Sequence, residues 1–136
     1  MSRRLLVDTN VLLRFLIGEP KAQAERARNL FGSAAAGEVV LEVSSVAVAE
    51  ACSTLESFYK VDRGEMVERL SALLSRRGVK VLEGAVVFDA LQRLKQVKVG
   101  FADAYLAAIA GVEKIEVASF DRDFDRFKDI RRAEPR

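Results

Sequence analysis

The chain has 136 residues, with 22 Lys or Arg against 20 Asp or Glu, and half of its residues are apolar. That size and balance suit one globular domain and exclude a disordered chain, while a net charge of +2 neither demands a nucleic-acid partner nor excludes one. No His is present, which excludes a Ser-His-Asp triad, a Cys-His dyad and an imidazole general base.

The first apolar run, Arg4–Val7, predicts a strand that stops at Asp8. Val11, Leu12, Leu13, Phe15 and Leu16 predict a helix, punctuated by Gly18 and Pro20. Pro20 suits the first turn of a second helix running to about Ala36, with Gly37 as its stop. Val39–Val43 reads as the second strand. Ser44 or Ser45 caps a third helix, on which Val48, Cys52, Leu55 and Tyr59 recur at helical spacing. Asp62-Arg63-Gly64-Glu65 resembles a capping box opening a helix that carries Met66, Leu70, Leu73 and Leu74. Gly78 ends it, and Val79–Leu82 is the third strand. Helices follow over about Ala85–Val97 and Phe101–Ala110, the latter ended by Gly111. Ile115–Ala118 is the fourth strand, Asp121–Phe127 a short turn or helix, and Ile130-Arg131 a weak fifth strand. The alternation predicts the α/β class, as a single domain over Met1–Arg136. Its central parallel sheet of four to five strands is flanked by helices on both faces, in three layers.

No targeting or membrane segment is expected. Arg3-Arg4 precede only three apolar residues before Asp8, too few for a signal-peptide core. The uncharged run Ala104–Val112 spans nine residues, against about 20 for a bilayer crossing. The lone Cys52 can make neither an internal disulfide nor a thiolate zinc site, so a cytoplasmic setting is expected. It reads as a small core residue. Any bound metal must be held by oxygen, which favours Mg²⁺ or Mn²⁺ over zinc.

Most acids lie among other polar residues and read as a solvated face. Four do not. Asp8 is the only charge between Leu5 and Leu13, and Glu50 is alone between Val43 and Leu55. Asp103 is alone between Val99 and Val112, on a stripe with Leu106, Ala107 and Ala110 that should face inward. Asp121 follows the fourth strand and Ser119-Phe120. In open α/β sheets ligands bind beyond the carboxyl ends of the strands, where Asp8 and Asp121 are expected and Glu50 and Asp103 can approach. Close, poorly hydrated carboxylates raise one another's pKa, and a divalent cation resolves the repulsion. Such a site activates water and steadies a transferring phosphoryl group. Taken singly, Asp8 and Asp121 also read as helix N-caps and Glu50 as a solvent-facing side chain. An acid on an apolar stripe needs a partner, so Asp103 resists the bland reading. Asp121–Asp125 is no calcium loop, since Arg126 stands where Gly is required and Arg132 where the bidentate Glu is required. Asp123 and Asp125 then read as outer or solvent-facing, and Glu42 and Asp89 carry no site signal.

Val7-Asp8-Thr9-Asn10-Val11-Leu12-Leu13-Arg14, Glu50, Phe101-Ala102-Asp103-Ala104 and Ser119-Phe120-Asp121-Arg122-Asp123-Phe124 resemble, in this order, the PIN-domain ribonucleases. More narrowly they resemble the VapC-type toxins of prokaryotic toxin–antitoxin pairs. The resemblance implies a four-carboxylate pocket that binds Mg²⁺ or Mn²⁺ and hydrolyses single-stranded RNA or exposed RNA loops. Asp8 and Asp103 would be the principal metal ligands, completed by Glu50 and Asp121, with Thr9, Asn10 and Ser119 orienting ligands or waters. It also implies a homodimer and a cognate antitoxin protein, whose tail blocks the groove while its other half binds DNA. Arg14, Arg122 and Arg126, with Lys128, Arg131 and Arg132, are candidates for RNA phosphate contacts, or else solubilising charges paired with nearby acids. Two rivals differ in class. One is a non-catalytic PIN-like module that holds a partner protein. The other is a phosphatase using Asp8 as phospho-acceptor, against which Asn10 stands where many such enzymes carry a second Asp.

Overall fold

The computed structural model describes residues 3–136, leaving Met1 and Ser2 outside the described residues. Five strands and six α-helices follow one another in a mixed α/β order. Contacts group them into two compact units, one through Gly84 and the other from Ala85.

In the first unit, β1 (Arg3–Leu6), β2 (Val39–Val43) and β3 (Val79–Val81) pair in parallel with β2 in the centre. A central parallel strand is covered on both faces and tolerates an unbroken apolar run. Val39, Leu41 and Val43 are accordingly buried. Glu42 interrupts that run and is only 7% exposed. Its carboxylate takes a forked pair of hydrogen bonds from Arg4 of β1, the second at 3.1 Å, and the Arg4 guanidinium holds it below the usual carboxylate range.

Four helices belong wholly to this unit: α1 (Thr9–Ile17), α2 (Lys21–Ala35), α3 (Ser45–Ser57) and α4 (Arg63–Leu74). Leu12 and Phe31 from α1 and α2, Val48 and Leu55 from α3, and Met66 and Leu70 from α4 are fully buried. Local chemistry sets the ends. Ser44 caps α3 by accepting from the Ala47 N–H (3.2 Å), and Asp62 caps α4 by accepting from the Glu65 N–H (3.3 Å). Pro20 is the residue before α2 rather than part of its first turn. Gly78 precedes β3 at φ +86°, and a Cβ there would lie 2.3 Å from the Ala34 carbonyl oxygen. Cys52 is a core residue, its thiol pushed up to about 12 by burial and then by the Glu56 charge.

The second unit carries α5 (Gly84–Gln96), α6 (Phe101–Glu113), β4 (Val117–Ala118), a 3₁₀ helix (Arg122–Arg126) and β5 (Arg132–Ala133). β4 and β5 pair with each other in parallel. The five strands therefore form ladders of three and two, the second confined to two residues in each strand. Gly111 does not end α6, which runs on to Glu113 and closes at Lys114 in the left-handed region. The glycine serves close approach instead: a Cβ there would meet Arg93 Nη2 at 3.0 Å and Asp129 Oδ2 at 3.4 Å. Arg93 is buried and bonds Asp129 through both terminal nitrogens (2.8 and 2.6 Å) and Asp89 through Nε (2.5 Å). Its guanidinium also lies 5.4 Å from the Phe127 ring centroid. Among the described residues no helix is long and apolar enough to cross a membrane.

Two predictions follow from this packing. Gly18 and Gly78 both have positive φ, but a Cβ on Gly18 meets nothing within 4 Å. Gly18→Ala should cost only the left-handed backbone, about 1–2 kcal/mol. Gly78→Ala should add an overpacking cost of about 1–3 kcal/mol, read as the gap between their urea midpoints. The Arg93 hydrogen bonds hold the Asp129 carboxyl below its ordinary value, so their contribution is present above the unfolded carboxyl pKa and is lost as pH falls through the lower folded one. Arg93→Met should destabilise by about 1–3 kcal/mol near neutrality. The gap from wild type should narrow on acidification below that range, in chemical melts run as a pH series.

Candidate active site

Asp8 follows β1 and occupies the N-cap position of α1 (φ −77°, ψ 151°), yet its side chain makes no capping hydrogen bond. The capping reading of Asp8 thus holds for the backbone alone, and the carboxylate is left exposed. Thr9 is buried and donates its hydroxyl to Glu50 Oε2 (3.0 Å) across 41 residues of sequence. Glu50 reaches this point from the second turn of α3. Asp8, Thr9, Glu50, Leu6, Val7, Ser44, Val46 and Ala47 line one cavity of about 260 Å³. The two expected acids of the first unit therefore share a pocket. Asn10 and Arg14 line a different cavity of about 420 Å³ with Gln23 and Arg26, and Arg14 Nε donates to Gln23 Oε1 (2.9 Å).

In the second unit Asp103 lies in the first turn of α6 and is half-buried. The inward stripe is realised by Ala107 and Ala110, whereas Leu106 is 46% exposed. Burial pushes the Asp103 carboxyl up, and the charges of Asp121 and Asp123 push it further. Asp121 is exposed and caps the 3₁₀ helix, its Oδ1 accepting from the Asp123 N–H (2.9 Å). Ser119 Oγ accepts from the Asp121 N–H (2.9 Å), so Ser119 orients the backbone that carries the acid. Asp123, set aside on sequence, acts electrostatically on Asp103. The sequence held no signal that separates it from solvated charge. Asp125 is turned to Arg132, which bonds it through Nε and Nη2 (3.1 and 3.2 Å). Arg126 pairs loosely with Asp123 (3.8 Å) and donates to the Lys98 carbonyl (3.3 Å).

Among the described residues no group of three or more acidic, His or Cys side chains is gathered as a metal-holding cluster. The donor chemistry of the two pairs nevertheless fits a hard divalent cation. Every candidate ligand is a carboxylate oxygen, and the repulsion that raises the Asp103 carboxyl is what a bound cation offsets.

Residues 5–130 match the PIN domain family. The chain belongs to that family. PIN domains are generally nucleases, and they generally use divalent metal ions. No curated protein matches the chain. The match covers both units of this PIN domain and includes Asp8, Glu50, Asp103 and Asp121.

Asp103 is penalised by burial and by like charge in the metal-free protein, and Asn retains its shape while removing both. Asp103→Asn should therefore raise Tm by a few degrees in EDTA. Loss of stability in that melt would show that the Asp103 carboxylate has a structural role instead.

Proposed function

We propose that this PIN domain is a metal-dependent endoribonuclease that hydrolyses phosphodiester bonds in single-stranded RNA or exposed loops, and that it is the VapC-type toxin of a toxin–antitoxin pair. The observation that carries the catalytic part is the treatment of the four acids. Glu42, Asp89, Asp125 and Asp129 are each in ion pairs with arginine. Asp8, Glu50, Asp103 and Asp121 take no cationic partner among the described residues. They are held, where held at all, by a hydroxyl and a backbone N–H.

Asp8 with Glu50 in the first unit, and Asp103 with Asp121 in the second, would be the carboxylate donors to Mg²⁺ or Mn²⁺. When bound, the cation supplies charge that steadies phosphoryl oxygens and makes water a better nucleophile. The protein's own groups do the positioning. The Thr9 hydroxyl engages one Glu50 oxygen and leaves the other to a ligand. The Asp123 N–H does the same for Asp121. Arg122, exposed and in no ion pair among the described residues, would contact a phosphate near Asp121. A homodimer in the cytoplasm, silenced by a cognate antitoxin that alone contacts DNA, completes the reading.

The test is cleavage of total RNA by purified protein in Mg²⁺, Mn²⁺ or EDTA. Discrete products should appear only with metal. Asp8→Asn and Asp103→Asn should each lower the rate by about 100-fold or more while remaining folded. RNA affinity should fall with salt, by a log–log slope of about −0.7 per phosphate contacted, and Arg122→Gln should flatten it by one such step. Absence of both cleavage and metal-binding heat would transfer the assignment to a protein-interaction module. A phosphorylated Asp8 would transfer it to a phosphatase.

A further inference from the structure

We infer that Phe120 is a stacking platform for a base of single-stranded RNA at the edge of the Asp103–Asp121 pair, an inference that rests on the endoribonuclease reading. Phe120 is 73% exposed, and a phenyl ring left in water forgoes the gain of burial. Its backbone is nevertheless fixed on both sides. The Ser119 N–H donates to the Ala133 carbonyl (3.1 Å), and the Ser119 carbonyl accepts from Arg132 Nη1 (3.1 Å). On the other side, the Asp121 N–H is held by Ser119 Oγ (2.9 Å) and the Asp121 carboxylate by the Asp123 N–H (2.9 Å). A ring presented on ordered backbone loses little freedom when a ligand lands on it.

The other phenylalanine of similar exposure, Phe58 at 75%, already has a ring partner: it meets Tyr59 edge-on with centroids 4.9 Å apart. Phe120 has no ring or cation partner among the described residues. Two residues on stands the exposed Arg122 guanidinium. An exposed apolar ring two positions from an exposed cation, whose charge also reaches Asp125, offers the two chemistries a nucleotide needs, one for a flat base and one for a phosphate. The preference is for single strands, because duplex bases keep their faces stacked on one another.

The chain contains no Trp, so Phe120→Trp installs a lone indole reporter, and Phe58→Trp is its control. Both are placed on an Asp8→Asn background in Mg²⁺, which keeps RNA intact. They are titrated with oligo(A) and with an abasic ribose-phosphate oligomer of the same length. Oligo(A) should quench the Phe120→Trp emission saturably. The abasic oligomer should leave Phe120→Trp unquenched, and oligo(A) should leave Phe58→Trp unquenched. Phe120→Ala should weaken oligo(A) binding by about tenfold. In the otherwise active protein it should raise KM by a similar factor with kcat nearly unchanged, and Phe120→Tyr should restore KM. Oligo(A) bound without quenching, equal quenching of Phe58→Trp, or Phe120→Ala that binds and cleaves like wild type overturns the stacking role and leaves the endoribonuclease reading standing. Wild-type protein that neither binds nor cleaves RNA overturns both.

Discussion

Carboxylates that face like charge have to be held in place without being neutralised. In the second unit of this PIN domain, Asp103 is half-buried and feels both Asp121 and Asp123. An arginine would relieve that strain and also cancel the negative potential that a divalent cation needs. The fold uses weaker, uncharged donors. A threonine hydroxyl fixes Glu50 in the first unit, and a backbone N–H fixes Asp121 in the second. Such bonds orient one oxygen of each carboxylate and leave its charge in place.

Acids with a structural role are treated differently. Asp89 and Asp129 share the buried Arg93, Glu56 is forked to Arg63, and Asp125 to Arg132. Planar guanidinium groups suit this task because their donors match both carboxylate oxygens at once. Several of these pairs are partly exposed and add little net stability. Their effect is on geometry. Arg132 ties Asp125 to the Ser119 carbonyl, so the segment carrying Asp121 is tethered to β5 by a side chain as well as by the ladder.

Features written in local chemistry were legible from sequence. The bounds of β2, the Ser44 and Asp62 caps and the short helix after Asp121 all depend on residues within a few positions of one another. Features that depend on distant partners were not. Gly111 looked like a helix stop, but its partner is the Arg93–Asp129 pair, and Arg93 and Asp129 are 36 residues apart. Leu106 fitted an apolar stripe but is exposed, because periodicity gives a face and not what covers it. The four acids stood out through their isolation in apolar sequence, yet Asp8, Glu50 and Asp121 are exposed: Asp8 and Asp121 sit at element ends, and Glu50 occupies an exposed position in the middle of α3. The contribution of Asp123 to the Asp103 surroundings was illegible because two acids alternating along a chain read equally well as solvated charge.

The Arg4–Glu42 bond has a consequence for how the first unit aligns itself. In the parallel ladder Arg4 stands opposite Val40, and Leu6 opposite Glu42, so the guanidinium reaches diagonally along one face of the sheet. Sliding β1 by a single residue would turn Arg4 to the opposite face and strand a nearly buried carboxylate without its cation. The pair therefore acts as a key that admits one alignment of the two strands. Asp8 lies two residues past Leu6 and the α3 cap two residues past Glu42, so the same key sets how far the first acid projects beside the helix that carries Glu50.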